Sequence, residues 1–155
     1  MKARTVASVK GFEWSEATSL HPGWFPVLER VPLFQSLSKR HLRKVGRVAE
    51  MKRFKKGAVV VRAGAKGDAF FVILDGSAEV VTPKGHKRQL KEGDFFGELA
   101  LLDGAPRAAT VTATNVLTTA RIGRTGFLQL VKEEPAMGIG LAHGLVALIR
   151  DMQNE

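Results

Sequence analysis

The 155 residues contain no cysteine, which excludes a disulfide framework and a thiolate metal site. That fits a reducing compartment, and the cytoplasm is the expected location. Long apolar runs are also lacking. The first 16 residues hold none long enough for a signal peptide, and nowhere does the chain approach the ~20 apolar residues of a membrane span. Its four histidines, His21, His41, His86 and His143, are scattered without metal-ligand spacing. No Gly-x-Ser-x-Gly elbow, His-Glu-x-x-His pair or Walker loop occurs, and no zinc-finger or helix-turn-helix pattern. No metal, cofactor or catalytic machinery is expected, and no sequence-specific reading of DNA.

Acidic residues are scarce in one half. Residues 1–66 hold 15 Lys or Arg against 4 Asp or Glu, whereas residues 67–155 hold 9 against 11, and the chain carries a formal +9. Within residues 39–66 stand 11 cations and a single acid, Glu50. Such a run reads either as a solvated face or as a surface for nucleic acid, anionic lipid or an acidic partner.

The richest stretch is Phe95-Phe96-Gly97-Glu98-Leu99-Ala100-Leu101-Leu102-Asp103-Gly104-Ala105-Pro106-Arg107-Ala108-Ala109-Thr110. Gly97 lacks a Cβ, so a ligand can approach the backbone there. Residues 98–102 read as one helical turn whose first amides point outward, an arrangement suited to phosphate. Asp103-Gly104-Ala105-Pro106 then turns the chain back. Arg107 brings a planar donor fork, and Ala108 and Ala109 leave room beside it. A carboxylate at Glu98 would repel phosphate, but it can accept a hydrogen bond from a sugar hydroxyl. An anion plus a hydroxyl describes a nucleotide.

Phe96-Gly97-Glu98-Leu99-Ala100 and Pro106-Arg107-Ala108-Ala109-Thr110 resemble, in register, the phosphate-binding cassette of the cyclic-nucleotide-binding domain family. That family includes catabolite-activator-type regulators, regulatory subunits of cyclic-AMP-dependent kinase and cyclic-nucleotide-gated channels. The resemblance implies that Arg107 binds the cyclic phosphate and Glu98 the ribose 2′-hydroxyl. It also implies that amides of Leu99, Ala100 and Ala108 complete the cradle beside Gly97 and Ala109. Guanine-selective relatives tend to carry a hydroxyl residue where this chain has Ala108, so cyclic AMP is the implied ligand, with cyclic GMP also accommodated.

Residues 1–24 read as a mobile tail and 25–155 as one domain. Trp24 and Phe25 fill a groove on that domain or meet a partner. A short helix over Val27–Arg30 leads to Pro32-Leu33-Phe34-x-x-Leu37, which resembles the family's entry anchor. Ser38 caps a helix with Leu42, Val45 and Val48 or Ala49 on its apolar face. Short strands follow at 51–54, 58–62, 69–74, 77–82 and 87–91, with turns between. Asp75-Gly76 signals a hairpin joining 69–74 to 77–82. After Arg107, strand 108–115 pairs with 116–122 through Asn115. Thr125 is the expected cap of a helix ending at Glu133-Glu134-Pro135, and the last helix spans Ala136–Met152. The expected fold is mainly β with flanking helices: an antiparallel β-roll or jelly roll (a double-stranded β-helix), with N-terminal helices and two C-terminal helices.

On that last helix, Gly138-Ile139-Gly140-Leu141-Ala142-His143-Gly144 follows no strand and is not a dinucleotide motif. Gly140 and Gly144 serve close packing on the barrel or a homodimer seam, and His143 stands at the helix surface, in the core or over the base. The resulting expectation is a stand-alone sensor, not an enzyme. Ligand draws residues 97–107 inward, one of Leu99, Leu101 and Leu102 meets Phe127, and the last helix closes over the base. Output passes to an effector protein or a homodimer. The other expectation is an interaction protein that uses residues 39–66, with nucleotide as modulator.

Overall fold

The computed structural model describes residues 8–9, 12–13 and 25–154. Most of the expected tail, with Trp24 and the side chain of Phe25, lies outside the described residues. Within it, strands β1 (Ser8–Val9) and β2 (Phe12–Glu13) pair antiparallel.

Helix α1 (Phe25–Arg30) and a 3-10 turn (Pro32–Phe34) lead to α2 (Lys39–Arg47). Ser38 caps α2 as expected, its hydroxyl accepting from the His41 amide at 3.1 Å. Leu42 and Val45 face the core. Eight strands follow: β3 (Ala49–Phe54), β4 (Val59–Val61), β5 (Ala69–Asp75), β6 (Ala78–Val81), β7 (Lys87–Leu90), β8 (Phe95–Phe96), β9 (Thr110–Ala113) and β10 (Leu117–Gly123). Between β8 and β9 sits the short helix α3 (Ala100–Asp103), and α4 (Arg124–Glu133) and α5 (Ala136–Gln153) close the chain. The strands form two antiparallel sheets of order β3-β10-β5-β8 and β4-β9-β6-β7. This is the expected roll.

Two expected pairings are corrected. Asp75-Gly76 does not make a hairpin, because β5 and β6 belong to different sheets. Asn115 likewise does not fold β10 onto β9. Both corners carry the chain from one sheet to the other, and they lock side by side. Asn115 Oδ1 accepts from the Ser77 amide at 2.9 Å, and the Ser77 and Thr114 hydroxyls lie 2.6 Å apart. A Cβ on Gly76 would stand 2.3 Å from the Val116 carbonyl. A glycine turn and alternating flanks report a reversal, not the partner that a strand meets afterwards. Pro83–His86 does close a true hairpin, β6 with β7.

The roll explains the unbroken apolar run of β5, which is buried on both faces. Phe70, Val72 and Leu74 join the helices' Leu28, Leu33, Phe34 and Phe127 in one core. Ile73 joins Ala78, Leu90, Val111 and Leu117 in a second core between the sheets.

The helices bring further corrections. Thr125 lies inside α4, whose N-cap is Gly123 without a side-chain bond. Two of the three glycines of α5 pack on the chain itself: a Cβ on Gly144 would sit 2.4 Å from the Leu33 carbonyl, and one on Gly140 2.9 Å from Leu37 Cδ2. Their bareness lets α5 lie against the 3-10 turn and the residues after it. Ile139, Val146, Ile149 and Met152 of α5 are exposed. Among the described residues, no helix is long and apolar enough to cross a membrane.

Candidate ligand-binding site

The stretch singled out in the sequence is held at both ends. At its start, β8 pairs with β5, and Phe96 stacks on Phe71 with ring centroids 5.1 Å apart. At its end, the Arg107 amide donates to the Ala65 carbonyl at 2.8 Å, and the Arg107 carbonyl accepts from the Gly64 amide at 2.8 Å. Between these anchors the chain makes α3. That helix starts later than expected, at Ala100, and the Ala100 amide closes onto the Gly97 carbonyl at 3.2 Å. Asp103 accepts from the Ala105 amide at 2.9 Å, which sets the turn back toward Arg107. From α4, Arg124 donates to the Leu102 carbonyl at 2.8 Å and so satisfies an end carbonyl of α3. Leu101 is buried in the same core as Phe127, and α3 packs on α4.

Gly97 has a reason beyond the expected one. Its φ of 88° is left-handed, and the space a Cβ would need is filled by Arg107, with Nη1 2.6 Å away. The bare backbone makes room for the guanidinium. Arg107 is almost fully enclosed. Its Nη2 donates to the Ala69 carbonyl at 2.8 Å and lies 3.7 Å from Asp68 Oδ1. Its Nε is buried and, among the described residues, has no hydrogen-bond partner. Burial lowers the pKa of this guanidinium, with the nearby Asp68 charge acting upward and Arg121 downward. An enclosed cation with an unused donor is poised for an anion. Glu98 is half-buried. Desolvation pushes its carboxyl above the usual carboxylate range, against a smaller lowering by its own backbone amide.

All seven residues expected to bind ligand, Gly97, Glu98, Leu99, Ala100, Arg107, Ala108 and Ala109, line one cavity of about 430 Å³. Its other walls include Val61, Val80 and Val111 of one sheet and Phe96 of the other. The size and the apolar walls with a few converging polar groups suit a small ligand.

Three contributors escape the sequence reading. Arg88 of β7 also lines the cavity; it is remote in sequence, and only the β6–β7 hairpin brings it there. Asp68 stands between Arg107 and Arg121. Gly67 is packed against the turn, since a Cβ would fall 2.2 Å from the Ala105 carbonyl and 2.9 Å from Ala100 Cβ. By sequence the Gly64–Asp68 loop shows as a tight turn in a run, 64–76, that resembles the family, with no role assigned at the site. His143 is exposed on α5, which settles it at the helix surface and not in the core.

The basic run is partly neutralised. Arg40 and Lys44 reach Glu134 at 3.2 and 3.1 Å, with His41 Nε2 at 3.5 Å. The Lys44 hydrogen bond, chief among these influences, holds the Glu134 carboxyl below the ordinary range. Lys39, Arg47, Lys52, Arg53, Lys55, Lys56 and Arg62 remain exposed. Among the described residues no cluster of metal-ligand side chains forms.

Residues 51–134 match the family model described as cyclic nucleotide-binding domain. A cAMP-dependent protein kinase regulatory subunit of Aspergillus fumigatus is 41% identical over 106 residues, which is 67% of this chain and 26% of that protein. Its counterpart from Mycosarcoma maydis is 43% identical over 96 residues, 59% of this chain and 18% of that protein. The chain thus spans about a quarter or less of the length of these relatives. Among solved structures, the N-terminal domain of a transcriptional regulator from Streptomyces coelicolor A3(2) has a TM-score of 0.71 at 23% identity, covering 83% of this chain and 95% of that one. The regulatory subunit of a cAMP-independent protein kinase A from Trypanosoma brucei has a TM-score of 0.60 at 20% identity, covering 85% and 46%. These two likenesses are of fold.

Proposed function

This chain belongs to the cyclic nucleotide-binding domain family, and we propose that its cavity binds cyclic AMP and that residues 25–155 act as a sensor module. The observation that carries this reading is the buried Arg107, whose Nε is unpartnered, at the wall of a cavity shared with Glu98 and the α3 turn. A phosphodiester carries one negative charge, which Arg107 neutralises with directed donors. Glu98 accepts from the ribose 2′-hydroxyl, and its place beside the cavity matches that role. Leu99, Ala100 and Ala108 line the phosphate end with backbone amides, between Gly97 and Ala109. The Ala100 amide must leave Gly97 to take part, so binding reshapes the turn. The relatives of about 40% identity are named for dependence on cAMP, and Ala108 offers no side-chain hydroxyl to a guanine amino group.

A conformational signal follows from the packing. Leu101 shares a core with Phe127, and Arg124 holds the Leu102 carbonyl. A turn that moves with ligand therefore pulls on α4 and, through Pro135, on α5. The response is limited to the difference in ligand affinity between the two arrangements. In this reading the module binds and regulates and does not catalyse. It works in the cytoplasm, and its output passes to an effector protein or a second copy through α5.

Arg88 favours a second reading, cyclic GMP, because a guanidinium fits the O6 and N7 acceptors of guanine. Calorimetric titration of the purified chain with each nucleotide decides between them. Tighter binding of cyclic AMP supports the first reading, tighter binding of cyclic GMP the second, and no heat with either overturns the assignment.

A further inference from the structure

Behind the cavity runs a row of alternating charges. Glu50 on β3 and Arg121 on β10 are opposite each other in the sheet, with Glu50 Oε2 accepting from Arg121 Nη1 at 3.0 Å. The other terminal nitrogen, Arg121 Nη2, lies 3.8 Å from Asp68 Oδ2. Asp68 in turn offers Oδ1 to Arg107 Nη2 at 3.7 Å. One carboxylate is thus shared between two guanidiniums, of which only Arg107 lines the cavity.

This sharing poses a problem for any anion that binds Arg107. The carboxylate of Asp68 pairs with the same guanidinium that the anion must use, so its charge opposes an incoming phosphate. Asp68 is largely exposed and water screens that repulsion in part, but the enclosed Arg107 between them leaves much of it standing. A second cation on the far side of Asp68 reduces it and draws the carboxylate away from the cavity. Resting on the reading that the cavity binds a cyclic nucleotide, we infer that Arg121 is a positioning residue for ligand binding: held by Glu50, it takes up the charge of Asp68 so that Arg107 is free to grip the phosphate. Nothing in the stretch 95–110 reveals this role. Arg121 stands 14 residues beyond Arg107 in a strand of otherwise apolar and threonine residues, and only the register of β10 against β3 and β5 places it behind Asp68.

The test is a double-mutant cycle read by calorimetric titration with cyclic AMP and cyclic GMP, alongside thermal melting. Arg121→Ala is expected to weaken binding about fivefold at low salt, near the ceiling for a partly exposed ion pair. Added salt is expected to shrink that loss, and Arg121→Lys to recover most of it. In an Asp68→Asn background, Arg121→Ala is expected to change affinity by less than about twofold, because the charge it offsets is gone. A structural defect alone would lower the melting temperature but persist unchanged in that background. Where Arg121→Ala does not fold, Arg121→Gln carries the same cycle. Binding by the wild type with no loss in Arg121→Ala, or an undiminished loss in the Asp68→Asn background, overturns the inference alone. A wild type that binds neither nucleotide overturns the reading of the cavity and this inference with it.

Discussion

Gly67→Ala tests whether the loop before β5 shapes the cavity. The added Cβ would stand 2.2 Å from the Ala105 carbonyl oxygen and 2.9 Å from Ala100 Cβ, where ordinary contact begins near 3.4 Å. The nearer partner is backbone, so the turn carrying Ala100 and Ala105 must retreat by about 1 Å. Overpacking of that kind costs about 1–3 kcal/mol, which for a domain of this size lowers the melting temperature by about 3–10 °C. The displaced turn forms one wall of the ligand cavity. Affinity for the nucleotide is therefore expected to fall about tenfold or more, the loss of roughly one charge-assisted hydrogen bond. Thermal melting gives the first quantity and calorimetry the second. Gly138→Ala is the control: a Cβ there meets nothing within 4 Å, and the residue lies inside α5. It is expected to stabilise by about 0.4–1 kcal/mol. A Gly67→Ala chain that melts and binds like the wild type would refute the close packing of loop on turn.

Arg107→Ala is expected to weaken binding by about 1.5–3 kcal/mol, roughly 10- to 150-fold. Glu98→Ala is expected to lose less, because removing the carboxylate also removes its repulsion of the phosphate; titration of both variants checks the order. Glu98→Gln bears on pH. Burial raises the folded-state pKa of Glu98, so its contribution to stability is full below the unfolded value and lost as pH rises through the folded one. At neutral pH the Gln variant without ligand is expected to melt higher than wild type, and the gap to close as pH falls through the carboxyl range. A gap that is constant with pH would contradict the burial of Glu98. Gly144→Ala is expected to destabilise by about 1–3 kcal/mol by pressing on the Leu33 carbonyl, in contrast to Gly138→Ala on the same helix.

Much of this molecule is legible without any coordinates. The places of most strands, the Ser38 cap and the unbroken run of β5 follow from local chemistry, since dihedral preference and apolar period act over a few neighbours, whereas strand ends do not: the expected 108–115 is Thr110–Ala113. That seven expected residues, Gly97 to Ala109, line one cavity is legible for the same reason: they fall within one short segment that has few ways to scatter them. Other features were decided only by the folded chain. Gly76 and Asn115 declared turns, but only the folded chain set the two corners side by side and put β5 and β6 into different sheets. The space at Gly97 went to Arg107, and the bare faces of Gly140 and Gly144 went to the entry turn. Gly67, Asp68, Arg88 and Arg121 reach the site or its support from separate strands and loops. Sequence specifies what each residue can offer within its own few neighbours. Which distant backbone fills a glycine's gap, or which carboxylate two arginines share, depends on sheet register and packing, and these are settled only when the whole roll closes.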